Sequence, residues 1–326
     1  MIRFMEQIAI LTEFAKDTLE GLSANPKYLS SKYFYDTRGS GIFQDIMQMP
    51  EYYLTDCELE IFKTHKEEIY TAFIEKDTLC NLIELGAGDG FKTKILLSHF
   101  HDQNAVFEYT PIDISEETVK NLVIDLERGF PGIKINGMVG DYFHLMEEIN
   151  LHDQTKKILL FLGSNIGNYN KSETLSFLNK LKSLMHSGDL LFIGFDLKKN
   201  PDIILKAYDD PHGHTAAFNL NLLQRINDEL NANFILRNFK HHEVYDPQSG
   251  TARSELISLI DQKVEIQDLN ENISFKQGES VFMEMSQNYD VDMINDLATE
   301  SGFEIVRNFF DKRLYFVNSL WKIKTK

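Results

Sequence analysis

Residues 80–100 read CNLIELGAGDGFKTKILLSHF, and this stretch decides the fold. A short apolar run ends in Gly86, Gly88 and Gly90, and a helical pattern follows directly. Glycines at that place permit positive φ and let a ligand approach the backbone closely. The unit is therefore strand, turn, helix, and it repeats downstream. FEYTPIDIS (107–115) is a second strand. EETVKNLVIDLERGF (116–130) is a helix with Val119, Leu122, Val123 and Leu126 on one face. IKINGMVGDY (133–142) is a third strand, KKILLFLGSNIGN (156–168) a fourth, and DLLFIGFDL (189–197) a fifth. Between the last two, SETLSFLNKLKSLMHSG (172–188) is a helix that Ser172 can cap and Gly188 can end. Runs that are apolar on both faces and alternate with helices imply a parallel sheet covered on both sides.

Upstream, residues 1–30 keep a helical spacing of apolar side chains through Ile8, Leu11, Phe14, Ala15, Leu19 and Leu22. SANPKYLSSKYFYDTRGSG (23–41) breaks it with Pro, Ser and Gly and reads as loop. Residues 42–75 are helical again, interrupted at Pro50. After Asp196 the alternation stops. PDIILKAYDD and FNLNLLQRINDEL are helix-like. NFILRNFKHHEVYD, SELISLIDQKVEI and ESVFMEMS are strand-like. This is expected to be an inserted α+β unit. A helix over Val291–Ser301 and two strands joined near Asp311 then complete the chain. The expected division is a helical region over 1–60, a core over 61–196 and 287–326, and an insertion over 197–286.

The spacing Gly86, Gly88, Gly90 is G-x-G-x-G with Glu84 in front, not the G-x-G-x-x-G of a dinucleotide fold. The shorter spacing suits S-adenosylmethionine (SAM), which has no pyrophosphate to seat on a helix end. Asp113 ends the second strand, where a carboxylate can accept both ribose hydroxyls. Asp141 follows the third strand, placed for the adenine amino group. Each alone is an ordinary turn glycine or helix-capping aspartate; all three at successive strand ends point to a nucleotide. Lys92 and Tyr142 complete the candidate cofactor set. The expected fold is α/β, a Rossmann-like doubly wound sheet of the class I SAM-methyltransferase kind with an inserted α+β substrate-binding unit.

Composition narrows the function. The chain has 326 residues, 43% hydrophobic and 25% charged, with 33 Lys+Arg against 50 Asp+Glu for a net charge of −17. Such a charge repels phosphate backbones, so neither nucleic acid nor an anionic membrane is an expected partner. The densest basic stretch, WKIKTK at the C-terminus, reads as a solvated tail. The two cysteines, Cys57 and Cys80, build neither a disulfide framework nor a zinc cluster and suit a reducing compartment. No signal peptide or membrane span is read from the sequence. A cytoplasmic, monomeric protein acting on a small molecule is expected, with no metal.

In these residues and in several longer segments, the chain resembles the histidine-specific methyltransferase family. The matching segments are KYFYDTRGSGIFQDIMQMPEYYLTDCE, IELGAGDGFKTKILL, FLGSNIGNY, YDDPHGHTAAFNLNLLQRINDEL and GESVFMEMSQNY, spread over residues 32–289. The type member trimethylates the α-amine of L-histidine to hercynine, the first step of ergothioneine biosynthesis. The resemblance implies that Asn168 and Tyr208 hold the carboxylate and amine of the substrate. It implies that Tyr35 reaches the imidazole and Tyr52 the amine end, and that Glu284 and Ser286 grip the imidazole nitrogens. It places the amino-acid pocket between core, insertion and N-terminal region. One departure stands out: where these enzymes carry a methionine after the acidic residue of an R-x-E-M strand, this chain has Glu255–Leu256. Leucine is apolar and of similar volume, but the position is expected to touch the pocket wall.

Other residues have plainer readings. His212 and His214, and His241 with His242, lack a nearby acidic triad at metal-ligand spacing and read as surface or hydrogen-bonding histidines. The cysteines read as packed thiols, and Trp321 as core or partner packing. Four tyrosines in 21 residues, Tyr33, Tyr35, Tyr52 and Tyr53, suggest a polar-tipped pocket. The expected activity is SAM-dependent Nα-methylation of L-histidine, in three steps. The alternatives are the same chemistry on another amino acid, such as a tryptophan derivative, or a non-catalytic SAM-binding protein.

Overall fold

The computed structural model describes residues 12–75, 78–152 and 155–324. The expected helical positions Ile8 and Leu11 lie outside the described residues, as does the end of the basic tail. The chain divides into two compact units, Leu54–Lys198 with Gln287–Lys326, and Met1–Tyr53 with Lys199–Ser286.

The first unit is built on the expected sheet. Its strands run, in spatial order, Phe303–Phe310, Phe316–Ile323, Leu190–Asp196, Lys156–Phe161, Cys80–Leu85, Phe107–Asp113 and Lys134–Ile135. Numbered along the chain this is 6-7-5-4-1-2-3. Neighbours from Leu190–Asp196 onward are parallel. Phe316–Ile323 runs antiparallel to both its neighbours. The third strand is split: Lys134–Ile135 and Met138–Val139 each pair separately with Phe107–Asp113. The order reverses between Cys80–Leu85 and Lys156–Phe161. In an open parallel sheet this switch point is where the carboxyl ends of the strands leave a crevice.

Both faces of the sheet are covered, as the uninterrupted apolar strands require. Leu190–Asp196 is buried throughout and shows why. Its Leu191, Ile193 and Phe195 join a core with Phe177, Leu181 and Trp321. Its Phe192 faces the other way and meets Phe62 and Phe73 of the helix Tyr53–Phe73, with ring centroids 6.2 and 5.1 Å apart. Trp321 is fully buried, so it is core.

In the second unit the strands order as Lys27–Tyr28, Ser280–Gln287, Thr251–Ser258 and Phe239–Asp246, beside a hairpin of Gln262–Ile266 and Glu271–Phe275. Helix His214–Leu230 supplies Phe218, Leu222, Leu223 and Ile226 to its core, which Phe34, Ile46, Leu256 and Met283 share.

Three local expectations are corrected. The helix read from Ser172 starts one residue earlier, at Lys171, and is capped by Asn170 in a reciprocal capping box with Glu173. The box satisfies two backbone donors at once, more than a Ser172 cap would. The loop expected over 23–41 gives way at Thr37 to a helix, Thr37–Gln48, because Asp36 accepts from the Gly39 amide at 2.6 Å and caps it despite two early glycines. The boundary expected at residue 60 falls inside the helix Tyr53–Phe73, and the units part at Tyr53/Leu54 instead.

Candidate active site

In the first unit, the loop after Cys80–Leu85 has Gly86, Gly88 and Gly90 at φ 77°, 54° and 63°. All three lie in the left-handed region that side chains avoid. A Cβ built on Gly88 would meet nothing within 4 Å, so the loop is open there. Asp113 closes it from the next strand. One carboxylate oxygen accepts from the Gly88 amide and the other from the Ser115 amide, both at 3.0 Å. Asp113 is half-buried, and a carboxylate oxygen can accept more than one hydrogen bond. Tyr142 stands beside the loop, its hydroxyl 3.0 Å from where a Gly86 Cβ would be, and burial raises its phenol pKa. Asp141 is exposed, and one oxygen caps the helix Tyr142–His152 through the Phe143 and His144 amides at 3.1 Å.

Glu84 sits beneath the loop. It is buried, and its two oxygens accept from Thr93 at 2.8 Å and from the Tyr109 hydroxyl. Burial pushes its carboxyl up to about 7 even so. It ties strand to helix beneath the loop. Lys92 pairs with the buried Glu58, a residue that sequence reasoning did not single out.

The segment after Lys156–Phe161 turns sharply. Ser164 has φ 61°, and its hydroxyl accepts from the Asp196 amide at 2.9 Å. A 3-10 turn, Asn165–Asn168, follows. Asn165 lies near the glycine loop, its amide nitrogen 3.4 Å from where a Gly86 Cβ would be. Asn168 is exposed at the end of the turn.

In the second unit, Tyr208 ends the helix Pro201–Tyr208, and its hydroxyl lies 2.7 Å from the Ser286 hydroxyl. Glu284 and Ser286 sit two apart on Ser280–Gln287, so they share a face. Glu284 is half-buried by surface area yet closely surrounded, and burial lifts its carboxyl to about 7. Beside it are two groups not singled out for the site. His241 is buried, and its Nε2 lies 3.0 Å from the Tyr208 carbonyl oxygen. Glu243 is buried and accepts from Ser254 at 2.5 Å, and burial raises its carboxyl to about 8, with Glu284 adding like-charge repulsion. The sequence KHHEV is polar at four of its five positions, so no apolar alternation marks either as buried.

The tyrosines divide. Tyr33 donates to Asp17 at 2.9 Å, and Tyr53 is buried and accepts from Lys199 at 2.7 Å, so both serve the scaffold. Tyr35 is exposed, Tyr52 is half-buried, and both pack edge-on against Phe43. Leu256 is fully buried in the core of this unit, opposite His241. The expected contact with a pocket wall is therefore corrected: Leu256 is core packing. His212 lies 3.8 Å from Glu51, and among the described residues no group of three or more His, Cys, Asp or Glu side chains could hold a metal. Cys57 and Cys80 are buried, and burial pushes their thiols up to about 12 and about 11, which makes them inert. Among the described residues no helix is long and apolar enough to cross a membrane.

Comparison with known proteins bears on both units. The family described as histidine-specific, SAM-dependent methyltransferase matches residues 14–323. A histidine N-alpha-methyltransferase of Mycobacterium tuberculosis is 33% identical over 91% of this chain and 91% of its own length. One from Mycolicibacterium smegmatis is 33% identical over 88% of each. Ergothioneine biosynthesis protein 1 of Schizosaccharomyces pombe is 29% identical over 70% of this chain and 30% of its own.

Proposed function

The chain belongs to the histidine-specific, SAM-dependent methyltransferase family, and from that premise we propose that it methylates the α-amine of L-histidine, up to three times. The observation that carries the substrate choice is the placement of Glu284, Ser286 and Tyr208 together in the second unit. A carboxylate and a hydroxyl two apart on one strand can meet the two nitrogens of an imidazole, one accepting from N–H and the other adapting to the tautomer. Leu256 lies in the core, so its departure from the family pattern leaves that recognition untouched.

The first unit fits SAM. The open, left-handed loop at Gly88 admits a ligand against the backbone, and Asp113 stands at its rim with acceptor capacity for ribose hydroxyls. Gly86, Gly88, Gly90, Asp113, Asp141, Tyr142 and Lys92 would line it. When bound, SAM supplies a methyl group already activated by its sulfonium. The protein's work is therefore alignment, which alone can contribute much of the rate. Within the second unit Tyr52 and Tyr208 orient the amine as its neutral form, and the proton leaves to water; Asn168 keeps the substrate role that the resemblance implies. Tyr35 adds an aromatic wall at the imidazole end. We further propose that the second unit supplies the side-chain recognition. The buried free thiols fit a reducing, cytoplasmic setting.

The direct test is purified protein, SAM and L-histidine, read by mass. Histidine carrying added methyl groups on its α-nitrogen is the expected product; an unmodified α-amine with SAM bound would refute the reading.

A further inference from the structure

Glu58 has no part in the chemistry above, yet its surroundings are built for it. It is fully buried on the helix Tyr53–Phe73. The Gly163 amide lies 3.2 and 3.1 Å from its two oxygens, and Asn318 donates to Oε1 at 2.7 Å. Lys92 pairs with Oε2. Gly194 leaves the room: a Cβ there would come 2.7 Å from Oε1. A buried carboxylate is costly unless paired, and an apolar side chain in its place is often no less stable. The partners give it a reason. Lys92 closes the glycine loop, and Gly163 opens the turn that carries Asn165 and Asn168. These two segments leave the two strands that flank the switch point of the sheet.

We propose that Glu58 is a positioning residue for the cofactor: it draws Lys92 and Gly163 onto one carboxylate and so fixes both loops at the switch point. Lys92 keeps 21% of its side chain exposed and has three donors, so the pairing orients its ammonium without consuming it. The inference rests on the SAM reading of the first unit.

A binding cycle with S-adenosylhomocysteine, read by calorimetry and needing no turnover, tests it. Glu58→Gln keeps size and an acceptor but loses the charge. It should weaken binding about tenfold or more, Lys92→Met should do the same, and the double variant should be no weaker than either single, the signature of residues acting as a unit. Thermal unfolding of each variant reports the fold separately. Glu58→Gln binding within about twofold of wild type, or losses that multiply in the double variant, would overturn the proposal. If Glu58→Gln does not fold, the double variant, with both charges removed, is compared with Lys92→Met: equal affinity supports the proposal, and a further tenfold loss overturns it. Wild type that binds no S-adenosylhomocysteine would instead overturn the cofactor reading itself.

Discussion

The hydroxyl of Tyr208 lies 2.7 Å from that of Ser286, and the Tyr208 carbonyl lies 3.0 Å from His241 Nε2. Tyr208 is thus held at both ends. A carbonyl only accepts, so Nε2 carries a hydrogen, and burial keeps the imidazole neutral by lowering its pKa. Nδ1 is then a bare acceptor, buried with no hydrogen-bond partner among the described residues. The helix end that presents Tyr208 is thereby tied to the strand that carries Ser286 and Glu284, the kind of support that preorganised recognition requires.

Side-chain choice should reside in that strand. A site built to hydrogen-bond a ring rejects an analogue lacking those atoms, because its own polar groups are left unpaired. Glu284→Ala should lower kcat/KM for histidine by about 100-fold, the scale of a charged hydrogen bond lost. Its relative activity toward tryptophan should rise. Competition assays on both proteins decide, and an unchanged preference would mean that the imidazole is read elsewhere.

For the cofactor, Asp113→Ala should weaken SAM binding by about 2–4 kcal/mol, the scale of charge-assisted hydrogen bonds in a closed site. The variant also frees the Gly88 amide that Asp113 now holds. Calorimetry on folded protein measures it, and unchanged affinity would move the nucleotide away from this loop.

Asn168 is exposed and belongs to the turn after Lys156–Phe161. Asn168→Ala should cut kcat/KM for histidine by about 10- to 100-fold while SAM affinity stays near wild type. Loss of SAM binding instead would place Asn168 in the cofactor site.

Buried carboxyls set a pH dependence. Glu243, raised to about 8 by burial, binds its proton more tightly folded than unfolded. Its protonated form is the stable one in the fold, so stability falls as pH rises from the ordinary carboxyl range through about 8. Glu243→Gln removes the ionisation. Its unfolding midpoint should gain on wild type as pH rises from 5 to 8 (~3 pH units through that window), and parallel curves would show that Glu243 is not the titrating group.

The parallel core was legible because its strands are apolar on both faces, a pattern few other architectures produce. Gly86, Gly88, Gly90 and Asp113 were legible because a positive φ and a strand-end carboxylate each leave a residue-type signature. Asn170 was missed as a cap because Ser172 competes for the same role in the same turn. Glu58 and Glu243 were missed for a different reason. A lone acidic residue in a helix or an alternating strand is usually solvated. Only the distant partners Lys92, Gly163 and Asn318, or Ser254 and Glu284, reveal the burial.

The effects expected at Glu284 and Asn168 depend on methyl transfer to the α-nitrogen of free histidine. One reaction tests it most directly: wild-type protein and SAM with an equimolar mixture of free amino acids, resolved by mass and fragmentation. Histidine should be consumed first, the added methyls should lie on its α-nitrogen, and phenylalanine and tryptophan should lag far behind. Methyl groups gathering on another amino acid while histidine is untouched would contradict it.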